Sequence, residues 1–166
     1  MQILNNFCEV LSDERALHAD LLALSTQKKD AITKNDVTAL DNIVKGEELL
    51  LARLNNLERL RRECVSELAA ELGRPAEEIV LRDFLSVSPP EQREQLTGLH
   101  RELRSLLERQ IGINEINKRL IESRLEYIHY TMEAVVGGDA VPYQTYGAGR
   151  EAARPTRKTT IIDQKV

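Results

Sequence analysis

Apolar side chains recur at spacings of three, four or seven residues along three long stretches of the chain. This spacing collects them on one face of an α-helix, since a helix has about 3.6 residues per turn. The stretches cover residues 2–32, 37–72 and 89–136. A β-sandwich or barrel would need more Val, Thr and turn Gly. We therefore expect an all-α fold in which three long antiparallel helices form an elongated, coiled-coil-like bundle.

Polar and glycine residues indicate where these helices begin and end. Asn35 or Asp36 is suited to cap the second helix, because a short side-chain oxygen accepts from the free N–H groups of the first turn. Gly73 fits the left-handed position that follows a helix end. Ser88 and Pro89 are expected to cap and to open the third helix.

A short helical connector is predicted between the second and third helices, over residues 74–88. Pro75 suits the start of a short helix that would reach Leu81. Phe84 and Leu85 follow, and we expect both to pack against the bundle.

Polar residues interrupt the apolar face of each long helix. Glu14 and Lys28 do so in the first, Glu47 and Arg61 in the second, and Gln110 in the third. A protein that acts only as a structural coiled-coil spacer or adaptor should have an unbroken heptad pattern. The interruptions count against that function, which remains an alternative.

The third predicted helix is too long for its neighbours. At about 1.5 Å per residue it would be roughly 72 Å long, against roughly 45 and 54 Å for the other two. Its last turns, residues 123–136, would then extend past them and leave apolar side chains uncovered. These side chains are Leu125, Ile128, Met132 and Val135. A partner helix, a bend in the helix or a symmetric homodimer would each cover them.

Helical periodicity ends at Gly137, and residues 137–166 are predicted to be a flexible tail with short linear motifs. This segment has a net charge of +2, whereas the whole chain has −4. Tyr146, followed by Gly147 and Gly149, is suited to anchor the tail in a partner's groove. A tail without a binding role is the alternative.

The sequence offers no candidate for catalysis, metal binding or a cofactor. No His or Cys residues have the spacing of a zinc site, and no glycine-rich loop follows a strand. The basic clusters are balanced by nearby Glu and contain no interleaved aromatics, so nucleic-acid binding is not expected. Asn117 lies on the apolar face of the third helix, where it would either fix the helix register or face solvent.

The expected environment is the cytoplasm. No apolar run is long enough to enter a membrane, and the N-terminus has no secretory signal pattern. Cys8 and Cys64 lie singly within apolar stretches, which suits small core residues in a reducing compartment. A disulfide between them is the less favoured alternative.

Several stretches resemble the FlgN-like family, the chaperones that serve flagellar hook–filament junction proteins in type III export. The similar stretches in the two later helices are Asn35-Asp36, Glu47-Glu48, Leu57-Glu58 and Arg61-Arg62, and then Asn117-Lys118-Arg119-Leu120-Ile121 with Leu125 and Tyr127. In the tail they are Thr145-Tyr146-Gly147-Ala148-Gly149 and Lys158-Thr159-Thr160-Ile161-Ile162.

The resemblance implies a small cytoplasmic chaperone without ATPase activity. Such a protein holds the C-terminal segments of hook–filament junction proteins, prevents their premature assembly and brings them to the export gate at the membrane. The C-terminal region of the family engages this cargo, and Asn117, Leu120 and Ile121 lie in the similar stretch of the third helix. We expect the side chains left uncovered by the length of that helix to contribute to the same surface: Leu125, Ile128, Met132 and Val135. A tail tyrosine contacts the cytoplasmic domain of the gate, and Tyr146 is the matching residue.

Overall fold

The computed structural model describes residues 2–136, and none of them lies in a β-strand. The predicted all-α fold is confirmed. The helices are α1 (Gln2–Lys34), α2 (Val37–Leu72), a 3₁₀ helix (Ala76–Glu78), α3 (Leu81–Val87) and α4 (Pro90–Val136).

The chain divides into two compact units, and the first ends at Tyr127. The described part of the second unit is the end of α4, residues 128–136. The predicted tail of residues 137–166, with Tyr146, Gly147 and Gly149, lies outside the described residues. The predicted domain boundary at residue 136 and the uncovered end of α4 remain predictions.

Within the first unit, α1 and α2 are antiparallel. Lys28 pairs with Glu47, and Glu14 lies 3.9 Å from Arg61, so contacts move down one helix as they move up the other. These four residues are the ones whose charges interrupt the apolar faces in the sequence. They interrupt the pattern because they pair with each other across the two helices.

Helix α4 runs parallel to α1 and therefore antiparallel to α2. Contacts between α1 and α4 advance in the same direction along both helices: Gln92 donates to Asn5, Arg15 pairs with Glu102, and Arg124 donates to the Thr33 carbonyl. The three long helices thus alternate in direction, as the sequence pattern predicts.

The turn between α1 and α2 and the end of α2 follow the predicted local chemistry. Asn35 takes a left-handed conformation with φ of 56°, and the Asp36 carboxylate accepts from the Ala39 N–H at 2.9 Å. Gly73, with φ of 62°, ends α2, and its N–H donates to the Ala70 carbonyl. Asp36, rather than Asn35, is the cap.

An apolar core joins all four α-helices at one end of the first unit. Phe84 of α3 is 1% exposed, and its ring stacks on Phe7 of α1 with centroids 3.7 Å apart. The buried members of this core are Leu4, Phe7, Cys8, Leu11, Cys64, Leu68, Phe84, Leu96 and Leu103. The predicted packing of Phe84 is confirmed, and Leu85 packs partly buried against the same core.

The prediction of one helix from Pro75 to Leu81 is wrong. Only a 3₁₀ turn forms at Ala76–Glu78, and α3 begins later. The Asp83 carboxylate accepts from the Val80 N–H at 2.8 Å, which satisfies a backbone donor at the start of α3. That hydrogen bond favours a helix start at Leu81.

The prediction that Ser88 and Pro89 cap and open the last helix is also wrong. The Ser88 hydroxyl donates to the Phe84 carbonyl at 2.6 Å, so it serves the end of α3. The Arg93 side chain donates to the carbonyls of Leu85 and Ser88. Because Ser88 is committed to α3, α4 begins at Pro90.

Truncating Phe84 should destabilise the bundle. We expect Phe84→Ala to lower the free energy of unfolding by about 3–5 kcal/mol, since it removes a buried ring and leaves a cavity. Leu49→Ala is the matched control, because Leu49 is 70% exposed and should change stability little. Urea unfolding followed by circular dichroism would measure both. Equal effects of the two substitutions would contradict the assigned core.

Glu14 should make stability depend on pH in a characteristic direction. Burial raises the pKa of its carboxyl above 4.5, the nearby Arg61 offsets only part of this rise, and Glu58 adds to it. The folded state thus holds the proton more tightly than the unfolded chain, and ionisation above pH 4.5 costs stability. We expect Glu14→Gln to stabilise the protein at pH 7 and to have little effect below pH 4.5.

Glu58→Gln should behave in the opposite way. A hydrogen bond from Arg61 lowers the pKa of Glu58 below 4.5, with a further contribution from Arg62. The ionised group therefore stabilises the fold above pH 4.5, and this contribution is lost as the pH falls through the lowered pKa. Urea midpoints of both variants between pH 3 and 7 would test the pair. If both substitutions raise the urea midpoint at pH 7, or both lower it, these pKa assignments are wrong.

Candidate functional site

A cavity of about 470 Å³ opens between the three long helices of the first unit. We call it the central groove. Its apolar lining consists of Leu21, Leu51 and Ile121. Its polar and charged lining consists of Ser25, Lys28, Glu47, Gln110, Asn114, Asn117, Lys118 and Glu122.

A hydrogen-bonded network forms the base of the central groove. Gln110 Nε2 donates to Ser25 Oγ at 2.6 Å, and Ser25 Oγ donates to Glu47 Oε1 at 3.2 Å. Lys28 Nζ pairs with the other oxygen of the Glu47 carboxylate. Asn117 Nδ2 donates to the Ser25 carbonyl at 2.8 Å. One serine of α1 therefore connects α2 and α4.

Two amide oxygens in this network lack a donor. Gln110 Oε1 and Asn117 Oδ1 are buried and have no hydrogen-bond partner within residues 2–136. Asn114 accepts from Gln110 Nε2 at 3.2 Å through its Oδ1, but it donates to neither of these oxygens. Unsatisfied buried acceptors are uncommon in folded proteins because they have lost hydration without replacement.

The structure decides between the two interpretations of Asn117. Its side chain is 4% exposed and bonded to α1, so it lies inside the bundle and does not face solvent. Asn117 and Ile121 both line the central groove, and Leu120 is partly buried next to them in sequence. Leu125, one turn beyond Ile121, is 41% exposed.

The remaining predicted cargo residues belong to the second unit. Ile128, Met132 and Val135 are all exposed, and Val135 reaches 85%. Their spacing of four and three residues places them on one face of α4. Whether this face contacts a partner remains a prediction.

Sequence reasoning missed Ser25 and Leu51 as members of a site. A serine within a helix and a leucine near an apolar face give no signal by themselves. Lys28, Glu47 and Gln110 were recognisable only as interruptions of the apolar pattern. Their opposite charges and amide chemistry suggest pairing, but only the register of the three helices brings them together.

Other chemistry in the described residues is limited. Burial raises the pKa of both Cys8 and Cys64, and both thiols are free, which agrees with their predicted place in the core. Residues 2–136 contain no cluster of His, Cys, Asp and Glu able to hold a metal ion. None of the described helices is long and apolar enough to cross a bilayer.

Comparison with known proteins places the chain in a family. It is 26% identical over 120 residues to the Bacillus subtilis (strain 168) protein named "Uncharacterized protein YvyG", an alignment that covers 72% of each chain. No solved structure matches. The family model described as "FlgN protein" matches residues 1–154. Because that match covers nearly the whole chain, the protein belongs to the FlgN family of flagellar export chaperones.

Proposed function

We propose that this protein is a cytoplasmic chaperone for hook–filament junction proteins. It binds their C-terminal helical segments, prevents premature assembly and delivers them to the type III export gate. The observation that carries the proposal is the exposed apolar surface of α4 next to the central groove, in a chain whose family consists of flagellar export chaperones.

Helix α4 changes character along its length in a way that suits cargo binding. Leu96 and Leu103 are buried in the core, whereas Ile121 and Leu125 are 39% and 41% exposed. An amphipathic helix binds such a surface by placing its apolar face into the groove. Burying a leucine or isoleucine side chain contributes about 1.5–3 kcal/mol.

The second unit also has apolar side chains that we propose to bind cargo. Ile128, Met132 and Val135 are exposed along one face of α4. Methionine adapts its shape to different partners, because its side chain is flexible and polarizable. A chaperone that serves more than one junction protein would use such a residue.

Holding a cargo segment requires neither catalysis nor nucleotide. Binding removes the segment from assembly by mass action, and a competing partner releases it. The family is a chaperone family, not an enzyme family. We therefore assign no catalytic residue and no cofactor to this protein.

Charge placed on the proposed surface should abolish cargo binding. We expect Ile121→Asp combined with Leu125→Asp to weaken binding of a junction protein more than about 100-fold, because two apolar contacts are lost and two charges are desolvated. Ile128→Asp combined with Met132→Asp should have an effect of the same direction. Calorimetry with a purified junction protein would measure both affinities.

Ile116→Asp is the matched control for these variants. Ile116 is also an exposed isoleucine of α4, but it does not line the central groove. It should bind cargo with wild-type affinity, and circular dichroism should show equal helix content in all variants. Equal loss of binding with Ile116→Asp, or no loss with Ile121→Asp and Leu125→Asp, would reject the surface.

Delivery is proposed to depend on the tail. We expect Tyr146→Ala to weaken binding to the cytoplasmic domain of the export gate by about 30-fold, or about 2 kcal/mol, as for a truncated interface tyrosine. Gly147 and Gly149 would allow the backbone to approach the gate closely. Cargo affinity should be unchanged, since α4 is intact.

Tyr143→Ala is the control for Tyr146→Ala, because Tyr143 lies in the same segment without a following glycine. Calorimetry with the gate domain and with cargo would separate the two roles of the chain. Wild-type gate binding by Tyr146→Ala would show that Tyr146 does not dock. A loss of cargo binding instead would place Tyr146 in the cargo site.

A further inference from the structure

The base of the central groove contains acceptors that the bundle does not use. Gln110 and Asn117 are 8% and 4% exposed, and both commit their NH₂ groups to Ser25 of α1. Their oxygens, Gln110 Oε1 and Asn117 Oδ1, accept nothing from residues 2–136. A ligand that brings a hydrogen-bond donor gains more here than at an exposed amide, since the acceptor is already desolvated.

The charged residues that line the groove do not favour a charged ligand. Lys28 pairs with Glu47, and Lys118 lies 3.9 Å from Glu122. These are all the charged residues of the lining, so each positive charge has a negative partner. Next to the buried amides, Glu47 is already paired with Lys28, whereas Lys118 and Glu122 are exposed, so a charged group buried there would pay its desolvation cost. The favoured donor is therefore uncharged.

The remaining lining determines the shape of the ligand. Leu21 of α1, Leu51 of α2 and Ile121 of α4 all line the groove, so each long helix contributes one apolar side chain. A helix placed along these elements would bury its apolar face and project one side chain toward the base. Leu125 extends the same apolar surface along α4.

We propose that Gln110 and Asn117 select cargo by a polar anchor. The cargo is an amphipathic helix whose apolar face is interrupted, near its centre, by one uncharged donor: Ser, Thr, Asn or Gln. The apolar face supplies affinity, and the donor fixes the register of the cargo along the groove. This inference rests on the proposed function and names the cargo chemistry of the same site.

The donor must enter between the side chains that line the groove. Both amide oxygens are covered from solvent in this structure, so a donor does not reach them from the groove surface without a local shift. Asn114 is exposed and accepts a hydrogen bond from Gln110 Nε2, so a shift of Gln110 would also affect Asn114. Cargo binding should therefore alter the side-chain amide signals of Gln110, Asn114 and Asn117.

A selection experiment tests the anchor directly. A display library of helical peptides of about five turns would carry leucines along one face and one randomised position at the centre of that face. The full chain serves as bait, beside Gln110→Met, which keeps the side-chain length but has no amide, and Asn117→Leu. Ile121→Asp combined with Leu125→Asp is the bait that defines background.

With the wild-type bait we expect Ser, Thr, Asn and Gln to dominate the central position. With Gln110→Met or Asn117→Leu we expect apolar residues there instead. Resynthesised peptides should show a preference of about tenfold for the donor on the wild-type chain, and none on the variants. The same central residues with every bait, or no enrichment above background, would overturn the proposal.

Two further results distinguish a failure of the polar anchor from a failure of the proposed chaperone function. Capture of junction proteins by the wild-type chain, together with unselective peptides, would reject the anchor and leave the chaperone function standing. Selective peptides without capture of junction proteins would retain the anchor and reject that function. A dimer of the purified chain that Ile121→Asp and Leu125→Asp dissociate would make a second copy the occupant and overturn the proposal.

Discussion

The cost of burying polar groups along α1 governs how this bundle is built. Glu14, Lys28 and Ser25 lie on a face of α1 that is otherwise apolar. Each of them lies opposite a polar partner on another helix: Arg61, Glu47 and Gln110, respectively. In any other register the Lys28–Glu47 pair, whose side chains are 18% and 13% exposed, would leave a partly desolvated charge without its partner. That pair and the hydrogen bonds of Ser25 therefore favour one register of α1 against α2. Moving 14 residues back along α1 moves the contact 14 residues forward along α2, from Lys28–Glu47 to Glu14–Arg61.

Much of the fold was predictable from the sequence, because helix periodicity and local capping are short-range properties. The bounds of α2 and the roles of Asp36 and Gly73 follow from such signals. Ser88 was assigned to the wrong helix, because its hydroxyl serves α3 through a contact that the capping pattern does not reveal. The central groove was harder to predict from the sequence. Asn117, Leu120 and Ile121 were named from the family resemblance, whereas Ser25 and Leu51 join them only through helix register.

The first unit combines two kinds of interior. Around Phe84 and Leu96 the helices are held by close apolar packing, which has few alternatives of equal energy. Around Ser25 and Asn117 they are held by hydrogen bonds, and two acceptors remain unused. Close apolar packing lies toward one end of the unit, and the polar network lies further along the same helices. Substitutions at the central groove need not weaken the apolar core.

The stacking of Phe7 on Phe84 has a consequence for synthesis on the ribosome. Three of the five buried core residues that lie outside α1 are Phe84, Leu96 and Leu103, which emerge long after α1 itself. At about 5–20 residues per second, that interval lasts on the order of 5–20 s. During this time the nascent chain presents an incompletely covered apolar helix. A member of a chaperone family thus has its own period of incomplete cover during synthesis, which ends when Phe84 can stack on Phe7.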